Sequence, residues 1–345
     1  MKNKISVDKY WEENPLIIKE FLDRQNNFLL LCQEISYILK KELPKKDIDF
    51  SSVTYRAKTL KSFIEKIQRK EYDKPFEQIT DFSGVRIVFL YIKDYKNIEK
   101  LIRNTFQVIE KVDKLNEKEV DQFGYGAIHF IVKLGKKYQG ARYDDLKNLV
   151  CEIQVRTILQ DAWAIIDHHL VYKNEDDVPS HLKRKLNSLA GLFETADDQF
   201  QSIKEERASY IKEIKEISNT PNKFLELDIN LDTFIEFLDW KYKDSIPLKN
   251  FKNQPEMILK DIDKRRYRTL NDLNNVYILS EKYYNNVIKY LTENEREFNW
   301  SKTLDFALRL VIYDKDIRKK PGVPRDWLKA INILKIQGNS KRPKI

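Results

Sequence analysis

The chain has 345 residues and a formal charge of +9, from 63 Lys and Arg against 54 Asp and Glu, with 41% hydrophobic and 12% aromatic residues. That length suits two domains, each able to bury a core, and the apolar content argues against a disordered chain although 34% of residues are charged. No apolar run approaches the ~20 residues that cross a bilayer, and the N-terminus "MKNKISVDKYWEENP" has no apolar signal core. A cytoplasmic protein is therefore expected, without a membrane partner. Cys32 and Cys151 are the two cysteines, far apart in the sequence, which argues against a disulfide framework and against cysteine-ligated zinc. The positive charge points to anionic partners such as nucleotides or nucleic acid.

Taken in order, residues 8–42 carry apolar residues near helical spacing (Leu29, Leu30, Ile35, Ile38, Leu39), and Pro44 closes them. A strand is expected over 48–56, followed by a helix in "TLKSFIEKIQRK". Further strands are expected over 84–91, 106–113, 125–134 and 149–156, with a helix in "DYKNIEKLIRN" between the first two. Five strands with few helices between them predict an α+β protein with a mixed sheet rather than a strict βαβ repeat. Helices over 157–173 and 181–217 follow, the second ending where "SNTPNK" breaks the pattern. The domain boundary is placed there, giving 1–218 as one domain and 219–345 as a mainly helical accessory or regulatory domain with no evident motif.

Four stretches have residues suited to chemistry. In "YRAKTLKSFIEKI", Arg56 and Lys58 stand two apart at a strand end, and Ser62 and Lys66 lie four apart on one helix face. Such a cluster suits a polyphosphate, or is a solvated basic face. In "ITDFSGVRIVFL", Asp81 precedes a strand edge, where a carboxylate can ligate Mg²⁺; alternatively it is a turn residue with Arg86 as its ion-pair partner. Arg86 falls within a run of Val, Ile and Phe, so it must face a partner or a cleft. In "FGYGAIHFIVKL", Tyr125 and His129 share one strand face, fit either to stack on a base and hold a phosphate or ribose, or to fill a core. In "LVCEIQVRTILQDAW", alternation sets Glu152, Gln154 and Arg156 against Cys151, Ile153 and Val155. The polar three line a wet cleft or an exposed sheet face, with Glu152 fit to be a metal ligand or a general base.

Together, in this order and spacing, these residues resemble the synthetase domain of the RelA/SpoT family, which makes the alarmones ppGpp and pppGpp. The matching signatures are R-x-K-x-x-x-S-x-x-x-K (Arg56, Lys58, Ser62, Lys66), D-x-x-G-x-R (Asp81, Gly84, Arg86), G-Y-x-x-x-H (Gly124, Tyr125, His129) and E-I-Q-x-R-T from Glu152 to Thr157. The resemblance spans about residues 20–215. It implies a nucleotidyltransferase-like five-stranded mixed sheet flanked by helices and an ATP-dependent pyrophosphokinase with GDP or GTP as acceptor. It also implies roles: Arg56, Lys58, Ser62, Lys66 and Arg86 on the ATP side, Asp81 and Glu152 on Mg²⁺, and Glu152 activating the acceptor 3′-hydroxyl. Tyr125, His129, Gln154 and Arg156 would hold the acceptor and the transferred group. The family's hydrolase domain is excluded, because its metal site needs upstream histidines and none occurs before His129.

The approach to the tyrosine, "EVDQFGYGAIH", departs from the family's Lys-Pro-x-Asn-Gly-Tyr pattern, with Asp121 and Phe123 in place of basic and amide residues. This leaves two further readings: a toxin-like member modifying the tRNA 3′ end or adenine nucleotides, including in phage defence, and a catalytically silent nucleotide sensor. An oligomer is compatible with each.

Overall fold

A computed structural model describes residues 7–113, 126–170, 179–242, 254–262, 265–294 and 301–339. Two compact units divide the chain, Met1–Lys204 and Glu205–Ile345. Among the described residues no helix is long and apolar enough to cross a membrane.

The first unit is built on a five-stranded mixed sheet in the order β1-β2-β5-β4-β3. Its strands are β1 (Phe50–Ala57), β2 (Ser83–Phe89), β3 (Phe106–Asp113), β4 (Ile128–Leu134) and β5 (Cys151–Thr157). β2 and β5 are parallel, and the other neighbours are antiparallel. Its helices are α1 (Val7–Glu13), α2 (Pro15–Glu42), α3 (Leu60–Lys70), α4 (Pro75–Gln78), α5 (Tyr95–Thr105), α6 (Ile158–Leu170) and α7 (Ser180–Ile217), the last of which contains the division between the units. The expected α+β sheet flanked by helices is what the chain forms. The strand expected over 125–134 starts at Ile128, and Gly124 and Tyr125 lie outside the described residues.

The period-2 pattern of the central strands decides the layering. Cys151, Ile153 and Val155 of β5 join Val85, Ile87 and Phe89 of β2 and Phe130 and Val132 of β4 on one face. Leu31, Ile35 and Leu39 of α2 and Ile98, Leu101 and Ile102 of α5 cover that face, each of them at least nine-tenths buried. The amphipathic stripes of α2 and α5 exist to meet it. The register places Arg56, Gly84 and Glu152 in one cross-strand row and Thr54, Arg86, Gln154 and His129 in the next, all on the opposite face.

A second core of rings lies at the β1 and β2 end of the sheet. Phe82 stacks on Phe28 at 4.7 Å and on Phe76 at 5.6 Å, and Phe21 stacks on Phe63 of α3 at 4.7 Å. The Ser83 hydroxyl donates to the Phe28 carbonyl at 2.9 Å, and the Lys58 amide donates to the Phe82 carbonyl at 2.8 Å. Phe82 thus ties the segment before β2 to α2, α3 and the end of β1, and its neighbour Asp81 is carried with it.

The second unit is helical: α8 (Pro221–Leu225), α9 (Leu231–Tyr242), α10 (Gln254–Asp261), α11 (Leu270–Asn294), α12 (Lys302–Tyr313), α13 (Lys315–Arg318) and α14 (Arg325–Ile333). Its core gathers Phe234, Phe237, Leu273, Val276, Phe306 and Leu310. Arg309 is buried there between the rings of Tyr277 and Tyr284, at 3.9 and 3.7 Å, and pairs with Asp305 at 2.9 Å and Glu281 at 2.6 Å. Such a buried cation is tolerated because every side of it is paired.

Phe82→Ala empties the centre of the ring cluster and is expected to cost about 3–5 kcal/mol of unfolding free energy in urea denaturation. A loss below ~1 kcal/mol would mean that the cluster collapses around the gap and does not brace Asp81.

Candidate active site

The site is built on the polar face of the sheet and on the two helix starts beside it. Lys58 follows the last residue of β1, and α3 begins two residues later. Thr59 caps that helix, its hydroxyl oxygen accepting from the Ser62 amide at 3.3 Å and its hydroxyl donating to the Ser62 oxygen at 3.0 Å. With Phe63, Ile64 and Ile67 buried, α3 turns Lys66 toward the sheet edge. Lys58 and Lys66 there grip Asp81 from both sides, with Nζ to Oδ2 at 2.9 Å and Nζ to Oδ1 at 2.8 Å. Burial raises the Asp81 pKa, but the hydrogen bonds and charges of Lys66 and Lys58 outweigh it and hold the carboxyl below its ordinary value. These side chains are only 12–27% exposed, so their pairing is screened less than a surface salt bridge.

Glu152 has its own partners. Nδ1 of His129 lies 2.6 Å from Glu152 Oε1, and Gln154 Nε2 donates to the same oxygen at 3.2 Å. Burial raises this carboxyl too, as does the nearby charge of Asp81, yet the hydrogen bonds from His129 and Gln154 leave it lowered. Both acids are therefore anionic at neutral pH, and they are close enough to feel each other's charge. His129 Nε2 is buried with no hydrogen-bond partner among the described residues, so the ring has one nitrogen engaged and one unspent.

Arg86 pairs with Asp161 rather than with Asp81: Nη1 lies 3.0 Å from Asp161 Oδ1, and Arg156 Nη1 lies 3.6 Å from the same oxygen. Asp161 stands in the first turn of α6, which a capping box starts sharply after β5. The Gln160 amide donates to the Thr157 hydroxyl at 3.1 Å, and the Thr157 amide donates to the Gln160 side chain at 2.9 Å. The T-x-x-Q spacing is legible in "RTILQD", and it marks the start of the helix whose first turn carries Asp161.

Arg56 is exposed, in register with Gly84 and Glu152. A Cβ at Gly84 would meet the Arg56 carbonyl oxygen at 3.6 Å, an ordinary contact, so the chain's own packing does not demand glycine. Its effect is to leave bare backbone between an arginine and a glutamate. The structure thus brings Arg56, Lys58, Ser62, Lys66, Asp81, Arg86, His129, Glu152, Gln154 and Arg156 to one sheet face and its edge; Ser62 spends its amide and oxygen on the cap, and Tyr125 is outside the described residues.

Among the described residues no group of three His, Cys, Asp or Glu side chains is placed to hold a metal ion. Two ionised carboxylates and clustered cations instead fit the manner of Mg²⁺, which takes one or two carboxylates and completes its shell with water and substrate phosphates.

Residues 55–177 are a RelA/SpoT domain: they match the family model described as "Region found in RelA / SpoT proteins". Over 208 residues the chain is 27% identical to the GTP pyrophosphokinase YwaC of Bacillus subtilis (strain 168), covering 58% of this chain and 93% of that protein. It is 26% identical over 202 residues to the GTP pyrophosphokinase YjbM of the same organism, covering 58% and 90%. Similar solved structures include the small alarmone synthetase 1 of Bacillus subtilis bound to its product pppGpp, with 25% identity, a TM-score of 0.48, and coverage of 55% of this chain and 99% of that one. A GTP pyrophosphokinase family protein from Streptococcus pneumoniae has 24% identity, a TM-score of 0.47, and coverage of 56% and 96%.

Because both carboxyls have folded-state pKa values lowered below their unfolded ones, their pairings stabilise the fold fully above the ordinary range of about 4 to 4.5. That stability is lost as pH falls through the lowered folded values. Asp81→Asn removes one contribution and leaves Lys58 and Lys66 facing each other without their carboxylate. It is expected to lower unfolding free energy at pH 7 by roughly 1–3 kcal/mol, with a smaller gap from wild type in acid, read by urea denaturation. A gap independent of pH would show that Asp81 is not held as a stabilised anion.

Proposed function

We propose that this chain is an ATP-dependent pyrophosphokinase that transfers the β,γ-pyrophosphate of ATP to the 3′-hydroxyl of GDP or GTP, breaking the bond from the β-phosphorus to the α,β-bridging oxygen and giving ppGpp or pppGpp with AMP as the leaving group. The observation that carries this reading is the pairing on one sheet face, inside the RelA/SpoT domain, of two ionised carboxylates each braced by its own basic or amide partners. The relatives named GTP pyrophosphokinase support the choice of guanine nucleotides as acceptors.

In this reading Arg56, Lys58 and Lys66 hold the ATP phosphates, with Ser62 at the helix start beside them. Phosphate oxygens compete with Asp81 for the two lysine ammonium groups, which leaves the Asp81 oxygens available to Mg²⁺. Asp81 and Glu152 would hold that Mg²⁺, which supplies neutralisation of charge on the transferring phosphate oxygens. Glu152 accepts the proton of the acceptor hydroxyl, and the hydrogen bond from His129 fixes its orientation. Tyr125 stacks on the acceptor base, while His129, Gln154 and Arg156 position the acceptor and the moving group. Nothing in this chemistry forms a covalent enzyme intermediate, so orientation and electrostatic stabilisation must supply the rate. With ATP and guanine nucleotides as substrates, the activity belongs to the cytoplasm.

The test is incubation with γ-labelled ATP, Mg²⁺ and, separately, GDP, GTP, ADP, ATP and deacylated tRNA. Label is expected in a GDP- or GTP-derived product; label in tRNA or an adenine nucleotide, or no transfer, overturns the reading. Under conditions where the variants remain folded, Asp81→Asn and Glu152→Gln should each reduce turnover by ~100-fold or more. Lys58→Ala should raise KM for ATP. Tyr125→Ala should raise KM for the acceptor through lost stacking worth roughly 1–3 kcal/mol.

A further inference from the structure

Two arginines on adjacent strands of the polar face share one counter-ion. Arg86 on β2 and Arg156 on β5 point the same way, offset by one step of the alternation, because Arg86 is in register with Gln154 and Val88 with Arg156. Strand spacing and rise put their Cα atoms roughly 8 Å apart. Burial and the charge of Arg86 both act against the Arg156 cation. Among the described residues only Asp161 ion-pairs with both, through a single oxygen, and the side chains of Arg86, Arg156 and Asp161 are 30%, 14% and 18% exposed.

We propose that Asp161 is a positioning residue that gathers Arg86 and Arg156 into one clamp for a phosphate group, at the seam where the strand of the ATP side, β2, meets the strand of the acceptor side, β5. Which phosphate this is, the pyrophosphoryl group in transfer, rests on the pyrophosphokinase reading. The clamp itself requires only an oligophosphate.

Three observations support the clamp. The Nε atoms of both arginines are buried and have no hydrogen-bond partner among the described residues, and neither does Asp161 Oδ1, so the ion pairs hold the guanidinium groups by charge without using their aligned donors. Buried donors of this kind call for an acceptor, and the planar guanidinium fork fits phosphate oxygens. His129 Nε2, the third unspent buried nitrogen of this face, lies on the strand beyond β5 and extends the row toward the acceptor side. Finally, Asp161 sits on a fixed platform: the capping box sets the first turn of α6, the buried Thr157 hydroxyl donates to Asp197 of α7 at 2.6 Å, and Trp163, two residues further along the helix, is buried. A counter-ion serving only to offset charge needs no such bracing.

The decisive readout follows from opposite signs. By charge alone, Asp161→Asn removes an anion beside an anion site and should tighten phosphate binding. Positioning demands the reverse. We expect Asp161→Asn to weaken binding of inorganic tripolyphosphate at least fivefold by calorimetry and to lower kcat/KM for nucleotide transfer at least tenfold, with a melting temperature close to wild type. Asp161→Glu, which keeps the charge on a longer arm, should recover part of both losses and serves as the readout if the asparagine variant folds poorly. Binding as tight as wild type or tighter in the asparagine variant, or no difference between the two variants, overturns the clamp. A wild-type chain that binds tripolyphosphate in an Asp161-dependent way but makes no alarmone would keep the clamp and remove the pyrophosphokinase reading.

Discussion

The parallel pairing of β2 with β5 in the middle of the sheet sets everything else in the first unit. Once Val85, Ile87, Cys151, Ile153 and Val155 face α2 and α5, the period of two leaves no choice for the residues between them: Gly84, Arg86, Glu152, Gln154 and Arg156 must share the other face. A one-residue slip of β5 would bury Glu152 and Arg156, and one of β2 would bury Arg86, against Leu and Ile, and either would expose the core. Packing and chemistry are therefore fixed by the same register, and the sheet can be rigid where the site needs rigidity.

Charges crowded on a partly dry surface have to be paired, and here each acid has separate partners. Asp81 lies between two lysines, Glu152 between a histidine and a glutamine, and Asp161 between two arginines. The lowered pKa values of Asp81 and Glu152 are the consequence: desolvation raises both, and the hydrogen bonds and positive charges of their partners together outweigh it. Lysines held in place by an exchangeable carboxylate, as Lys58 and Lys66 are by Asp81, are well suited to a polyanion, because phosphate oxygens can replace the carboxylate oxygens with little movement of the protein. The aromatic cluster around Phe82 bears the cost of holding Asp81 beside Lys58 and Lys66, away from the sheet's own hydrogen bonds.

Much of this was legible in the sequence because it is local. The alternation in "CEIQVRT" gave the two faces of β5, Arg86 within an apolar run called for a partner or a cleft, and the spacing from Arg56 to Lys66 gave a strand end followed by one helix face. What was not legible depends on chain segments that meet only on folding. Asp161 finds Arg86 across 75 positions of sequence, and the order β1-β2-β5-β4-β3 that makes this contact follows from no single segment. Asp81 offered a nearer and wrong partner for Arg86 because sequence proximity suggested a local ion pair; the ring cluster under Phe82 turns Asp81 toward α3 instead. The second unit shows the same limit. Its helical spacing was plain, while the burial of Arg309 between two tyrosines depends on α11 meeting α12.

The most direct measurement is a crystal structure of the protein with Mn²⁺, located by its anomalous signal, and a non-hydrolysable ATP analogue. The proposed site predicts one metal peak within about 2.0–2.3 Å of an Asp81 or Glu152 oxygen and of the analogue's phosphates. Lys58 and Lys66 would have moved from Asp81 onto phosphate oxygens. Metal and nucleotide bound away from the polar sheet face, or a nucleotide on that face with Lys58 and Lys66 still closed on Asp81, would contradict it.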